Sequence, residues 1–390
     1  MEKQLSLHEK WALDAEAYGR EKKIKTAIPQ CESCVYYEKG NALHCKKFQN
    51  TRKPNEVMFA HKECPAFESA SPIIFTPENS KEDKLFGGII GFCVGDMLGV
   101  PVEFSSREER DSDPVRELRA YGTYHQPFGT WSDDTSLMLC LINAIINGFS
   151  KECLRDNMIS YYQKGKFTAD GDVFDIGVST KNAISNMMQG VDPEKCGGLA
   201  ESDNGNGSLM RILPVAFVCN KKTDSELVQF VSMLSSFTHG HPRSILACIF
   251  YTVFAKELFN GYQQDEAYDN AIDFLKLHCA PYLETESREY RAILSKAILS
   301  YDKKRIRSSG YVVDTLEAVL WAFFNSNSYS ESVLNAVNLG GDTDTIAALV
   351  GGLSGVKYGY NSLPKNWIQC IRAKESIFNL TKQLVAYIDS

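Results

Sequence analysis

Two short runs in this chain of 390 residues crowd hydroxyls and carboxylates closely enough to hold a cation. The first is Trp131-Ser132-Asp133-Asp134-Thr135, where a hydroxyl and two carboxylates offer hard oxygen ligands in consecutive residues. The second is Asn338-Leu339-Gly340-Gly341-Asp342-Thr343-Asp344-Thr345, which mirrors it with Asp342, Asp344 and the Thr345 hydroxyl. Mg²⁺ or Mn²⁺ takes such ligands, with water completing the shell. Each run also precedes an apolar helical stretch, so either one alone reads more readily as a helix cap. Ser132 or Asp133 would cap the first helix, and the acids suit a helix's positive end. The pair reads differently. Several carboxylates held close need a cation, and six oxygens from two loops would hold two divalent ions.

Other segments add candidates. Gly87, Gly88, Gly91, Gly95 and Gly99 allow close helix approach, after which Gly99 and Pro101 end the helix and present Glu103. Alone, a glutamate so placed is more often solvated than catalytic. Asp203-Asn204-Gly205-Asn206-Gly207-Ser208-Leu209-Met210-Arg211 has glycines that permit close backbone approach to a ligand, and the helix start behind it suits a phosphate. A turn and cap explain it equally. Phe174–Thr180 and Thr238–Pro242 are weaker, and a lone His239 is more often a hydrogen-bonded structural residue.

The elements that must position these residues are helical. Leu85, Phe86, Ile89, Ile90 and Cys93 share one helical face, as do Leu137, Met138, Leu141, Ile142 and Ile145, and Val313, Leu316, Val319, Leu320 and Phe323. Alternating strand patterns are hardly visible. A compact all-α domain is expected over 84–390. Residues 1–80 differ: 12 Lys/Arg against 11 Asp/Glu give +1, leaving −8 for the rest. They read as a short helix near 5–24, a small cysteine-bearing module at about 28–68, and a linker over 69–83 ending at a helix cap.

In that module Cys31, Cys34, Cys45 and Cys64 fall as C-x₂-C-x₁₀-C-x₁₈-C, with His44 and His61 nearby. The first pair has zinc-knuckle spacing, and four thiolates would close a tetrahedral structural Zn²⁺ site. The last spacing fits no standard finger closely, so an iron–sulfur cluster or unligated thiols stay open. The other eight cysteines lie mostly in apolar segments, as small hydrophobes.

Composition excludes several classes. With 44% hydrophobic and 23% charged residues, wholesale disorder and coiled coil are ruled out. A net charge of −7 argues against a general nucleic-acid binder. No spanning helix or membrane partner is expected, and the charged N-terminus lacks a secretory apolar run. The expectation is a cytoplasmic protein with reduced thiols.

Taken together, the motifs resemble those of the ADP-ribosylglycohydrolase family. GxxxGxxxGDxLGxPVEF, GxW[ST]DDT, DIGxxT, GNGxLMRxxP, TH and NxGGDTDTIAA occur in family order over about 84–360. The resemblance implies an all-α fold and two Mg²⁺ (or Mn²⁺) ions held by Ser132, Asp133, Asp134, Asp342, Asp344 and Thr345. It implies catalytic roles for Glu103, Asp133 and Asp344, with Glu103 near the scissile ribose. Gly177 and Thr180, then Asn206, Gly207, Ser208 and Met210, match loops that hold ADP-ribose, and His239 matches a histidine beside the cleft. Ser132 stands where threonine is more usual; both supply a hydroxyl.

The implied reaction is hydrolysis at the anomeric carbon of ADP-ribose through an oxocarbenium-like transition state, with Glu103 as general acid or base. The leaving atom stays open: arginine, serine, another modified residue or a small conjugate. Some members of the family act as antitoxins or immunity proteins that reverse toxin modification. A different class of reading makes the chain a binding protein, one that blocks an ADP-ribosylating toxin through its N-terminal extension.

Overall fold

The computed structural model describes residues 72–390 together with Cys31, Cys34–Tyr37, Cys45–Phe48, Lys53, Cys64 and Ala66. The helix expected near 5–24 and most of the 28–68 module, with His44 and His61, lie outside the described residues.

The longer helices are α1 (Ser80–Gly99), α2 (Asp133–Ile146), α3 (Lys151–Lys164), α4 (Val178–Met188), α5 (Asp224–Ser236), α6 (Pro242–Asn260), α7 (Gln264–His278), α8 (Val312–Phe324), α9 (Tyr329–Val337), α10 (Thr343–Tyr358) and α11 (Lys374–Asp389). Among the described residues there is no strand, only isolated bridges such as Gly205 with Tyr311. The all-α expectation holds.

At the centre α1 lies against α10. Glycine in a helix interior costs about 1 kcal/mol relative to alanine, and α1 carries five glycines. The cost is offset by contact. A Cβ on Gly91 would come 2.6 Å from the Gly351 carbonyl oxygen, and one on Gly95 would fall on that of Ala347. The two backbones therefore touch, and every residue from Leu85 to Gly99 is buried. Tyr329 Oη donates to the Gly91 carbonyl (2.6 Å) and Tyr251 Oη to that of Leu349 (2.8 Å), fixing the pair from two sides. Ser80–Val102 is long and apolar enough to cross a membrane by length and composition, yet 94% of its most apolar window is buried within the fold. It is a core helix here.

The segment expected as a linker is docked from residue 73 onward. Phe75 stacks on Phe86 with ring centroids 3.9 Å apart. Ile73 N–H donates to the Gln369 side chain, which donates back to the Ile73 carbonyl, both at 3.0 Å. α1 begins at Ser80, before Lys84, because Asn79 accepts from the Glu82 N–H at 2.9 Å and caps it.

Candidate active site

The seam between α1 and α10 sets the floor of an acidic cleft. Where α1 ends, a Cβ on Gly99 would collide with the backbone of Asp344, and the Thr343 hydroxyl donates to the Gly99 carbonyl at 2.8 Å. The next turn, Val100–Val102, delivers Glu103 to the same place. Phe104 N–H donates to the Gly341 carbonyl (2.7 Å) and Gly341 N–H to that of Ser105 (2.8 Å), zipping the two loops together. Gly341 has φ +72°, and a Cβ there would fall on the Ser308 carbonyl, so glycine is required twice over. Arg107 ties the surrounding loops by donating to the carbonyls of Leu339 (3.0 Å) and Ile306 (2.7 Å).

The start of α2 supplies the opposite wall. Asp96 of α1, fully buried, accepts from the N–H groups of Ser132 (2.9 Å) and Thr135 (3.0 Å) and from the Thr135 hydroxyl (2.6 Å). Ser132 Oγ also accepts from the Asp134 N–H at 3.3 Å, so the cap reading and the ligand reading of this run coexist. Asp134 then joins the two walls. Its Oδ2 accepts from Ser132 Oγ at 3.1 Å and from Thr345 Oγ1 at 3.3 Å. Asp342 Oδ2 accepts from Asn206 Nδ2 at 2.6 Å, and that amide also donates to Thr315 Oγ1 at 3.0 Å.

Two contributors were given no role from sequence: Asp175, which lies within the weaker Phe174–Thr180 segment, and Tyr124. Asp175 brings a carboxylate oxygen within 4.8 Å of those of Glu103 and Asp344. Tyr124 shares side-chain hydrogen bonds with Glu103 and with Asp175. The Gly177 N–H, just ahead of α4, donates to the Asp133 carboxylate.

The remaining sequence candidates sort into cleft and core. Thr180 is buried near Gly207, where a Cβ would come 2.8 Å from both Thr180 Oγ1 and His239 Cε1. Thr180 and His239 therefore pack directly against the Gly207 backbone, leaving no room for a side chain there. His239 Nδ1 lies 2.8 Å from Thr238 Oγ1. Burial, then the Arg211 charge, lowers its pKa to about 3, so it is a neutral imidazole. Ser208 points away from the acids into the core, 2.9 Å from Ser235 Oγ and 3.4 Å from Cys248 Sγ. Met210 is likewise buried.

The electrostatics are one-sided. Asp133, Asp134 and Asp344 are all held well above the usual carboxylate range, by burial first and then by one another and by Asp96, Glu103, Asp175 and Asp342. Burial, Asp175 and Asp342 push Glu103 up to about 9. Burial lifts Asp96 and Asp175 to about 6. None of the seven acids forms an ion pair with a lysine or arginine among the described residues. Buried charges need pairing or a metal. Three buried carboxylate oxygens, Glu103 Oε2, Asp134 Oδ1 and Asp342 Oδ1, have no hydrogen-bond partner. All-oxygen donors, orphaned atoms and missing counter-charge fit divalent cations of the Mg²⁺ or Mn²⁺ type.

The family model for ADP-ribosylglycohydrolase matches residues 77–390. ADP-ribosylarginine hydrolase Tri1 of Serratia proteamaculans is 31% identical over 318 residues, 80% of this chain and 82% of that protein. The protein of the same name from Pseudomonas putida is 30% identical, with 82% of each chain covered. ADP-ribosyl-[dinitrogen reductase] glycohydrolase of Rhodospirillum rubrum is 26% identical over 76% of this chain and 92% of its own. A solved structure described as an ADP-ribosylglycohydrolase-related protein complex superposes with a TM-score of 0.64 at 26% identity, covering 79% of this chain and 99% of that one.

Proposed function

The chain belongs to the ADP-ribosylglycohydrolase family, and from that premise we propose that it hydrolyses the bond between ADP-ribose and an arginine side chain of a modified protein, using two divalent cations. The observation that carries the reading is the convergence of six buried acids and the half-buried Asp175, with three orphaned oxygens and no basic partner among the described residues. Arginine as the acceptor is favoured by the likeness to two proteins named ADP-ribosylarginine hydrolase.

Ser132, Asp133, Asp134, Asp342, Asp344 and Thr345 would hold the cations, Mg²⁺ or Mn²⁺ by their hard oxygens. Such ions orient sugar hydroxyls and water and offset developing charge. The chain's own groups do the rest. Glu103, held by Tyr124 beside Asp175, carries a proton to the departing guanidine or from the attacking water. Hydrolysis returns an unmodified arginine, and this restorative chemistry supports a further role as an antitoxin or immunity protein.

The test is release of free ADP-ribose from arginine-linked and serine-linked substrates, with Mg²⁺ or chelator, for wild type and Asp342→Ala. Metal-dependent release from the arginine substrate, lost in the variant, is expected. Release from the serine substrate alone would overturn the linkage. No release from either, with metal bound, would overturn the hydrolase.

A further inference from the structure

Ahead of the helical domain, four thiols separated by up to 33 positions meet around one small cavity. Cys31, Cys34, Cys45 and Cys64 all line a space of about 10 Å³, closed on the other sides by Tyr36 and Phe48. That is room for one water-sized sphere or one ion. The backbone prepares it. Cys34 N–H donates to the Cys31 carbonyl at 3.0 Å, and Phe48 N–H to the Cys45 carbonyl at 2.9 Å, so two like turns each begin on a cysteine. The Ala66 N–H donates to the Cys64 sulfur. The ammonium of Lys53, whose residue is only 2% exposed, bonds the Cys31 sulfur. No disulfide joins the four.

Neutral thiols explain this arrangement poorly. The four sulfurs line one ion-sized space, and the Lys53 ammonium and the Ala66 N–H are both aimed at sulfur, as they would be at thiolates. We propose that the four cysteines bind one zinc ion as thiolates, with Lys53 and the Ala66 N–H as outer donors. Four S–H bonds break, four protons leave to solvent, and four Zn–S bonds form, giving a centre of charge −2. Lys53 reduces this to −1, and the Ala66 dipole spreads it further. Outer donors of this kind tune metal affinity by about 10- to 100-fold. The site is closed by four protein ligands, so its role is structural rather than catalytic. It stands independently of the acidic cleft.

The experiment uses the full chain purified without chelator, with metals quantified by elemental analysis. About one zinc per chain is expected, falling to about zero in Cys34→Ser and Cys64→Ser. Cys153→Ser, a half-buried helical thiol elsewhere, should keep the zinc. Lys53→Met should keep it too but lose it to a competing chelator at about tenfold lower concentration. Because a cysteine variant can misfold, the wild type is also reconstituted with Co²⁺. Intense thiolate-to-cobalt charge transfer and tetrahedral d–d bands are expected. Stoichiometric iron, or wild-type chain that is zinc-free and silent with Co²⁺, would overturn the proposal.

Discussion

Seven carboxyls in the helical domain and four thiols ahead of it both crowd groups that repel when ionised, yet the two regions are assembled differently. In the cleft, the ligands ride on the ends of helices whose backbones already touch, as at Gly99 and Asp344. The acids are gathered by packing and would stay gathered without a cation. Among the described residues, two short turns and the rings of Tyr36, Tyr37 and Phe48 surround the cysteines. On our proposal the ion itself ties these turns together. On the two proposals, one region is a scaffold built before its metal, and the other a metal site standing in for a scaffold.

Four changes would break or sharpen this contrast. The largest effect is expected from Glu103→Gln, which should lower turnover by about 10²- to 10⁴-fold while ADP-ribose still binds by calorimetry. Unchanged turnover would remove Glu103 from the chemistry. Next, Gly95→Ala drives a methyl into the Ala347 carbonyl and should destabilise the domain by about 3 kcal/mol in urea unfolding, with or without Mg²⁺. Full rescue by Mg²⁺ would mean that the cation, not the seam, organises the cleft.

Asp96→Asn should weaken Mg²⁺ binding or activity by about 10- to 100-fold, since Asp96 touches the ligand run only through Ser132 and Thr135. A drop in melting temperature with metal affinity unchanged would reduce it to a cap.

The smallest effect concerns His239, whose pKa falls to about 3 in the fold. The unfolded chain takes up this proton near pH 6.5 and the folded chain does not, so stability rises with pH between about 3 and 6.5 and is flat above. Each unit below 6.5 should cost about 1.4 kcal/mol from this group. Comparing unfolding at pH 5 and pH 7 for wild type and His239→Gln measures it; equal slopes would refute it.

The acids that come in pairs stood out by themselves, whereas single acids such as Glu103 and Asp175 drew notice only through the motifs around them. Asp133 with Asp134, and Asp342 with Asp344, announce themselves because a helix start concentrates them within three residues. Asp175 enters alone from a loop, and Tyr124 from a turn; only tertiary packing brings them to Glu103. Asp96 lay in plain view in a glycine-rich helix, where its neighbours suggested packing. Nothing local reveals that it caps another helix 36 positions away. The helical class was legible from apolar periodicity, whereas the docking of Phe75 on Phe86 was not, because one aromatic ring among breaker residues carries no period.

The seam between α1 and α10 has a genetic consequence. An oversized side chain in an ordinary core can be forgiven by trimming its neighbour. At Gly95 and Gly91 the obstructing atoms are the carbonyl oxygens of Ala347 and Gly351, which every amino acid carries. A search for second-site suppressors of Gly95→Ala should therefore recover shifts of a whole helix or nothing, and never a smaller residue across the contact.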